Sequence, residues 1–375
     1  MRRFAVILTI AMVVFLVAAI GSAQQESSSG PYKVLKTAKV GGEGGWDYIY
    51  ADVAGRRLYI PRRGGPAAPG ADPSTAVQTR LTIFDLDTLA PVGEIPGVGG
   101  QGAVVDAKVG HGFTSSKPIS MFDTKTMMPI KTIDPGDAQP DGILFDASAE
   151  RVYIFSHPTK NATVIDAKDG SVVGTIDLGG VPEEGVADGK GILYDVMQDA
   201  QGSVAVVDTK TMKTIAHYPF GDAGACNGLA LDAKNGVLFA ACGRSGDQPQ
   251  PVMVILSAKD GKILAKLPLA GGSDGEIFNP ATMEVFSTQG NGTLTIVKEN
   301  SPTSFEVEQN LQTMNGARTI AFDSKTNHIF TMSDERGPAP PPPPPSATPT
   351  PGGGRGRGAQ GAVVPGSFTI VEIGK

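Results

Sequence analysis

From Tyr50 onward the chain is written in short apolar runs broken by Asp, Asn, Lys and Gly. Five segments share one pattern: FDLDTLAPVGEIP from Phe84, FDTKTMMPIKTID from Phe122, IDAKDGSVVGTID from Ile165, VDTKTMKTIAHYP from Val207 and LSAKDGKILAKLP from Leu256. Each reads as a strand ending near Asp or Ser, a polar turn and a second strand. Between them runs another hairpin, seen in GILFDASAERVYIFS, GLALDAKNGVLFAAC, EIFNPATMEVFST and TIAFDSKTNHIFTMS. Val, Ile, Phe and Leu give the flanks β-type composition, and the tips carry turn chemistry. The anchors Asp85, Asp123, Asp166, Asp208 and Ser257 lie 38, 43, 42 and 49 residues apart. Four antiparallel strands, A to D, in about 40 residues is the period of a propeller blade.

Blades are expected to start at Asp47, Gln101, Asp141, Glu184, Asn227, Asp274 and Arg318, which makes an all-β, seven-bladed propeller. The seventh supplies strand A (Thr319–Phe322), strand B (His328–Met332) and strand C (Ser367–Ile373), but no strand D. The missing strand is read at the other end of the chain, as YKVLKTAKV over Tyr32–Val40. Head and tail would then share a sheet and leave no open edge. The Pro/Gly-rich stretch 338–365 becomes a disordered insertion between strands B and C of the closing blade.

The blade consensus, seen as GRRLYIP, ERVYIFS and VAVVDTKTMKTIA, together with the N/C-terminal closure, resembles the YVTN-repeat propellers, which include the YncE-like secreted proteins. The resemblance runs from Tyr32 to the end. It implies the fold, and a kinship in repeat with seven-bladed lactonases, but the repeat itself is scaffold.

Composition adds the compartment. The start, MRRFAVILTIAMVVFLVAAIGSA, has a basic head, an apolar run from Phe4 to Ile20 and small residues Gly21 and Ala23. It reads as a signal peptide over 1–23, followed by a short linker, 24–31, and a single propeller, 32–375. An uncleaved anchor is the alternative, and no Cys follows the cleavage site to accept lipid. The expected mature protein is a periplasmic or extracellular monomer with no membrane span. Cleavage removes Arg2 and Arg3, taking the net charge from −6 to −8. That argues against nucleic-acid binding, which relies on Lys and Arg against phosphate. Cys226 and Cys242 fall nearly opposite on neighbouring strands, as a cross-strand disulfide or as two buried thiols.

Alternating strands put the D–A and B–C loops on one face and the A–B and C–D turns on the other. The recurring Asp146, Asp232, Asp323, Asp123, Asp166 and Asp208 belong to the second face and read as turn residues. The first face is irregular and carries three long B–C loops, in blades one, five and seven. Strand A is innermost, so Asp47, Gln101, Asp141, Glu184, Asn227, Asp274 and Arg318 should ring the mouth of the central channel, with Glu183 competing with Glu184 for register. Such a ring offers oxygen ligands for Ca²⁺ or another divalent cation, or is a hydrated lining. Arg318 is placed to pair with Asp47 or Asp274. None of His111, His157, His217 and His328 maps to this ring, and no GxSxG elbow exists. Trp46 reads as packing between blades seven and one, or as a stacking platform. Two functions follow. One is a non-catalytic propeller that binds a partner protein or small ligand on the D–A/B–C face. The other is a lactonase-like hydrolase, either assisted by a divalent cation or metal-free, with Glu184 or Asp141 as base.

Overall fold

The computed structural model describes residues 29–66, 72–199, 201–243, 250–338 and 361–375. The expected signal peptide, 1–23, and most of the Pro/Gly-rich insertion lie outside them. The described residues form seven four-stranded antiparallel sheets, each ordered A-B-C-D outward from the axis. The inner strands are Tyr50–Asp52, Ala103–Asp106, Pro140–Asp146, Pro182–Ala187, Cys226–Asp232, Ser273–Asn279 and Arg318–Asp323. Among the described residues no helix is long and apolar enough to cross a membrane.

The seventh sheet runs Lys33–Lys39, Thr369–Gly374, His328–Ser333, Arg318–Asp323. Its closing pair is antiparallel, from Lys33 opposite Gly374 to Lys39 opposite Thr369. Tyr32 clamps the entry. Its backbone N–H donates to Gln309 Oε1 and its carbonyl accepts from Gln309 Nε2, both at 2.9 Å.

Middle strands are apolar on both faces because each sheet is covered by two neighbours. Val237–Cys242, for example, is buried throughout, whereas the outer strand Lys213–Pro219 alternates exposed and half-buried positions. Seven separate apolar clusters result, one at each interface between adjacent blades. That between blades seven and one joins Trp46, Leu58 and Ile60 to Phe330, Phe368 and Ile370. Each fully buried side chain of this size contributes about 1.5–3 kcal/mol, so closure rests on packing as well as on the strand pair. Trp46 meets Phe368 edge-on at 4.6 Å.

The outlying Asp side chains do turn work. Asp146, Asp166 and Asp232 accept backbone N–H groups two residues ahead, at 2.8 to 2.9 Å. Cys226 and Cys242 are directly opposite in the ladder and joined as a disulfide. The base of the long insertion is pinned by a bridge between Arg336 and Val363 and by Gly337 N–H on the Ala362 carbonyl at 2.8 Å.

Candidate functional site

The inner strands do not run straight into the channel mouth. In blades three to seven the A–B ladder slips where the mouth residues sit: between Pro140 and Ile143, Pro182 and Gly185, Cys226 and Gly228, Ser273 and Gly275, and Arg318 and Ala321. A bulge inserts an unpaired residue and re-aims its side chain. Blades two to six place Gly immediately after the mouth residue. A Cβ on Gly142 would lie 2.2 Å from the Glu183 carbonyl oxygen, and one on Gly228 would lie 2.6 Å from Glu276 Cγ. The glycines let neighbouring inner strands close in and bring the bulged side chains together.

They assemble into two groups. Arg318 Nη1 lies 3.1 Å from an Asp47 oxygen and 2.9 Å from an Asp274 oxygen, and its Nη2 donates to the Trp46 carbonyl at 2.6 Å. The expected pairing with one flanking carboxylate is thus a pairing with both. The second group forms around a residue the sequence reading left out. His157 follows strand B of blade three, and its Nε2 stands 2.8 Å from Asp141 Oδ2 and 2.7 Å from Glu183 Oε2. The expectation that no histidine reaches the mouth is therefore corrected. The residue after strand B folds back over the D–A loops of its own blade and the next.

The choice between Glu183 and Glu184 dissolves, because both lie in one bulge. Glu183 turns to His157, and its other oxygen is 3.4 Å from Asn227 Nδ2. Glu184 accepts the backbone N–H groups of Leu229 and Glu276 at 2.8 and 3.1 Å. Gln101 stands apart from both groups, its carbonyl oxygen taken by Arg63. Behind Glu183 sits Asp195, fully buried on strand B of blade four, with one oxygen accepting Glu183 N–H at 3.2 Å. The sequence signals for these additions are slight. Asp195 is an acid inside the apolar strand ILYDVM, and Glu276 is an acid two residues past Asp274.

Burial dominates the electrostatics. It pushes Asp47 up to about 7 against the pull of Arg318, and Glu184 up to about 8 despite its two N–H bonds. Glu183 is raised by burial although His157 pulls it down. Asp195 and Glu276 are raised well above the usual carboxylate range by burial. For His157, burial disfavours the charge, but hydrogen bonds to Asp141 and Glu183 win and hold it at about 10. A positive charge is wanted between these two carboxylates, and the imidazolium supplies one.

One ligand atom from each of Asp141, His157 and Glu183 lies within 4.8 Å of the other two. Donors around a tetrahedral ion at about 2.0–2.1 Å stand roughly 3.3 Å apart. The two carboxylates would need to open from His157 by only about half an ångström to admit one. Beneath the ring lies a cavity of about 380 Å³, walled by Tyr48, Ile143, Leu229 and Ile320 with Glu184 and Glu276 among them.

No protein-family model matches the chain, and no curated protein matches it in sequence. Solved structures match in shape. A chain of the crystal structure of the mitotic checkpoint complex superposes with a TM-score of 0.65 at 10% identity, over 86% of this chain and 96% of that one. A chain of the Kuenenia stuttgartiensis hydrazine synthase does so with a TM-score of 0.60 at 15% identity, over 76% and 91%. At these identities the likeness is one of fold.

Proposed function

We propose that this chain is an exported, non-catalytic propeller of the YVTN-repeat, YncE-like kind. Its D–A/B–C face receives a protein partner or small ligand at the acidic channel mouth. Asp141, His157 and Glu183 there form the seat of a divalent cation. One observation carries the reading: five carboxylates, Asp47, Asp141, Glu183, Glu184 and Asp274, converge on one opening, where Arg318 answers two and the His157 imidazolium two more, so that a divalent cation taking the place of the imidazolium proton keeps the charges matched. One imidazole nitrogen and two carboxylates suit a borderline ion such as Zn²⁺ better than Ca²⁺, which prefers an all-oxygen shell.

The fold supports a binding role, since one structural neighbour is part of a multiprotein complex. Export is supported by the N-terminal sequence and by the disulfide, a bond of oxidising compartments. The hydrolase reading draws on the same three donors, because a cation there would polarise a lactone carbonyl. Glu184 argues against it. The carboxyl is tied to two backbone N–H groups and held near 8, so it is a poor base at neutral pH.

Affinity capture from the native periplasmic or culture fluid tests the choice, with the full chain and an Asp141→Asn/Glu183→Gln variant as baits. The binding reading expects a partner or ligand retained by the first and lost by the second. Turnover of a lactone panel by the metal-loaded chain, abolished in the variant, would replace it with the hydrolase reading.

A further inference from the structure

A second cavity, of about 320 Å³, opens on the same face between blades seven and one. Its walls include Trp46, Arg62, Arg318, Arg336, Val363 and Phe368. Arg62 ends strand B of blade one and is only 2% exposed. Its guanidinium carbon sits 3.4 Å above the Phe368 ring. Its Nε has no hydrogen-bond partner, and no carboxylate pairs with it among the described residues. Arg318 is held by Asp47 and Asp274, and Arg336 by both oxygens of Asp334 at 2.8 and 3.1 Å. Arg62 has no such arrangement. Burial, reinforced by the charge of Arg80, pulls it down to about 9 although Asp334 works the other way.

Trp46 adds a second lone donor. It is 4% exposed, and its indole Nε1 is also buried without a partner. Guanidinium and indole N–H groups only donate. Both residues line one cavity and keep buried donors unanswered, which calls for an acceptor-rich, negatively charged guest, because a buried donor left unpaired is destabilising. Of the three guanidiniums on the lining, Arg318 and Arg336 are held by their own carboxylates, and Glu43 is exposed, which leaves Arg62 as the buried one without a paired carboxylate. Trp46, Phe368, Val363 and Pro365 give the rest an apolar wall.

We propose that this cavity binds an organic monocarboxylate, its carboxylate on Arg62 and Trp46 and its apolar body against Phe368 and Val363. The site shares Arg318 with the acidic mouth but not Asp141, His157 or Glu183, and it does not depend on a cation there.

Trp46 is the only tryptophan of the chain, so its emission reports directly on this cavity. The full mature chain is titrated with benzoate, and in parallel with inorganic phosphate at matched ionic strength. A saturable change with benzoate is expected, weakened at least about tenfold in Arg62→Met, the loss of one charge-assisted contact. Val363 is 45% exposed, so Val363→Phe fills the cavity from its rim without threatening the fold and should weaken binding too. Asp141→Asn/Glu183→Gln should bind benzoate as the parent does. A merely linear quench, or equal binding by both cavity variants, overturns the site. Saturation by phosphate with benzoate inert overturns the carboxylate assignment.

Discussion

Replacing Arg318 with Met keeps the apolar stem and removes the charge that two buried carboxylates share. At 3.1 and 2.9 Å each ion pair is worth about 5 kcal/mol in gross Coulomb energy at an effective dielectric near 20. Desolvation of the guanidinium and the mutual repulsion of Asp47 and Asp274 offset much of that. What remains is the cost of stranding buried charge, about 3–5 kcal/mol when one partner is removed. The loss should depend on pH in a definite direction. Asp47 already has a folded value of about 7, well above its unfolded one, because burial outweighs Arg318. Without the arginine that value rises further. A carboxyl with a raised folded value is least harmful at low pH, and its penalty grows as pH rises through the unfolded value toward the folded one. Urea unfolding should therefore show a deficit of about 3–5 kcal/mol near pH 8 that shrinks by up to about 1.4 kcal/mol near pH 5, because below about 7 Asp47 takes up its proton in parent and variant alike. Adding Asp47→Asn and Asp274→Asn should recover most of the loss at pH 8. A deficit below about 1 kcal/mol, or one of the same size at both pH values, would refute the reasoning that burial sets the charge state of the mouth.

Other outcomes follow from the same structure. Glu184 is held at about 8 by burial, so Glu184→Gln should gain on the parent by about 4 kcal/mol between pH 5 and pH 9 in chelator; a pH-independent difference in urea melts would refute this. The disulfide spans 16 residues, and Cys226→Ala/Cys242→Ala should lower stability by about 3 kcal/mol, read as a shift in urea midpoint. Starting the chain at Gly41 bares the edge of Thr369–Gly374. It should abolish cooperative melting or drive dimers by size exclusion, and a peptide of residues 32–40 should restore the monomer; an unchanged melt would show that closure does not need this strand.

The fold was legible because every blade repeats one instruction. Hairpins with Asp-rich tips recur at one period, and the only unpaired strands, at Tyr32–Val40 and Ser367–Ile373, had each other. The inner-strand starts were legible for the same reason. Their geometry was not. Counting back from a turn assumes a regular ladder, and five inner strands slip where the count matters. That is why Glu183 and Glu184 could not be told apart and why both turn inward from one bulge. His157 escaped because it belongs to no repeat position. It reaches the mouth through the path of one B–C turn, which periodicity does not encode. Arg62 stands next to Arg63 where strand B runs into a long loop, and nothing local marks it; only the seating of Phe368 from the far end of the chain shows that it is buried without a paired carboxylate.

Calorimetric titration of the chelator-treated mature chain with Zn²⁺ near pH 8 tests the acidic mouth most directly. The account predicts one ion per chain, with binding lost when His157→Gln is combined with Asp141→Asn. No saturable heat in the parent, or undiminished uptake by that double variant, would contradict it.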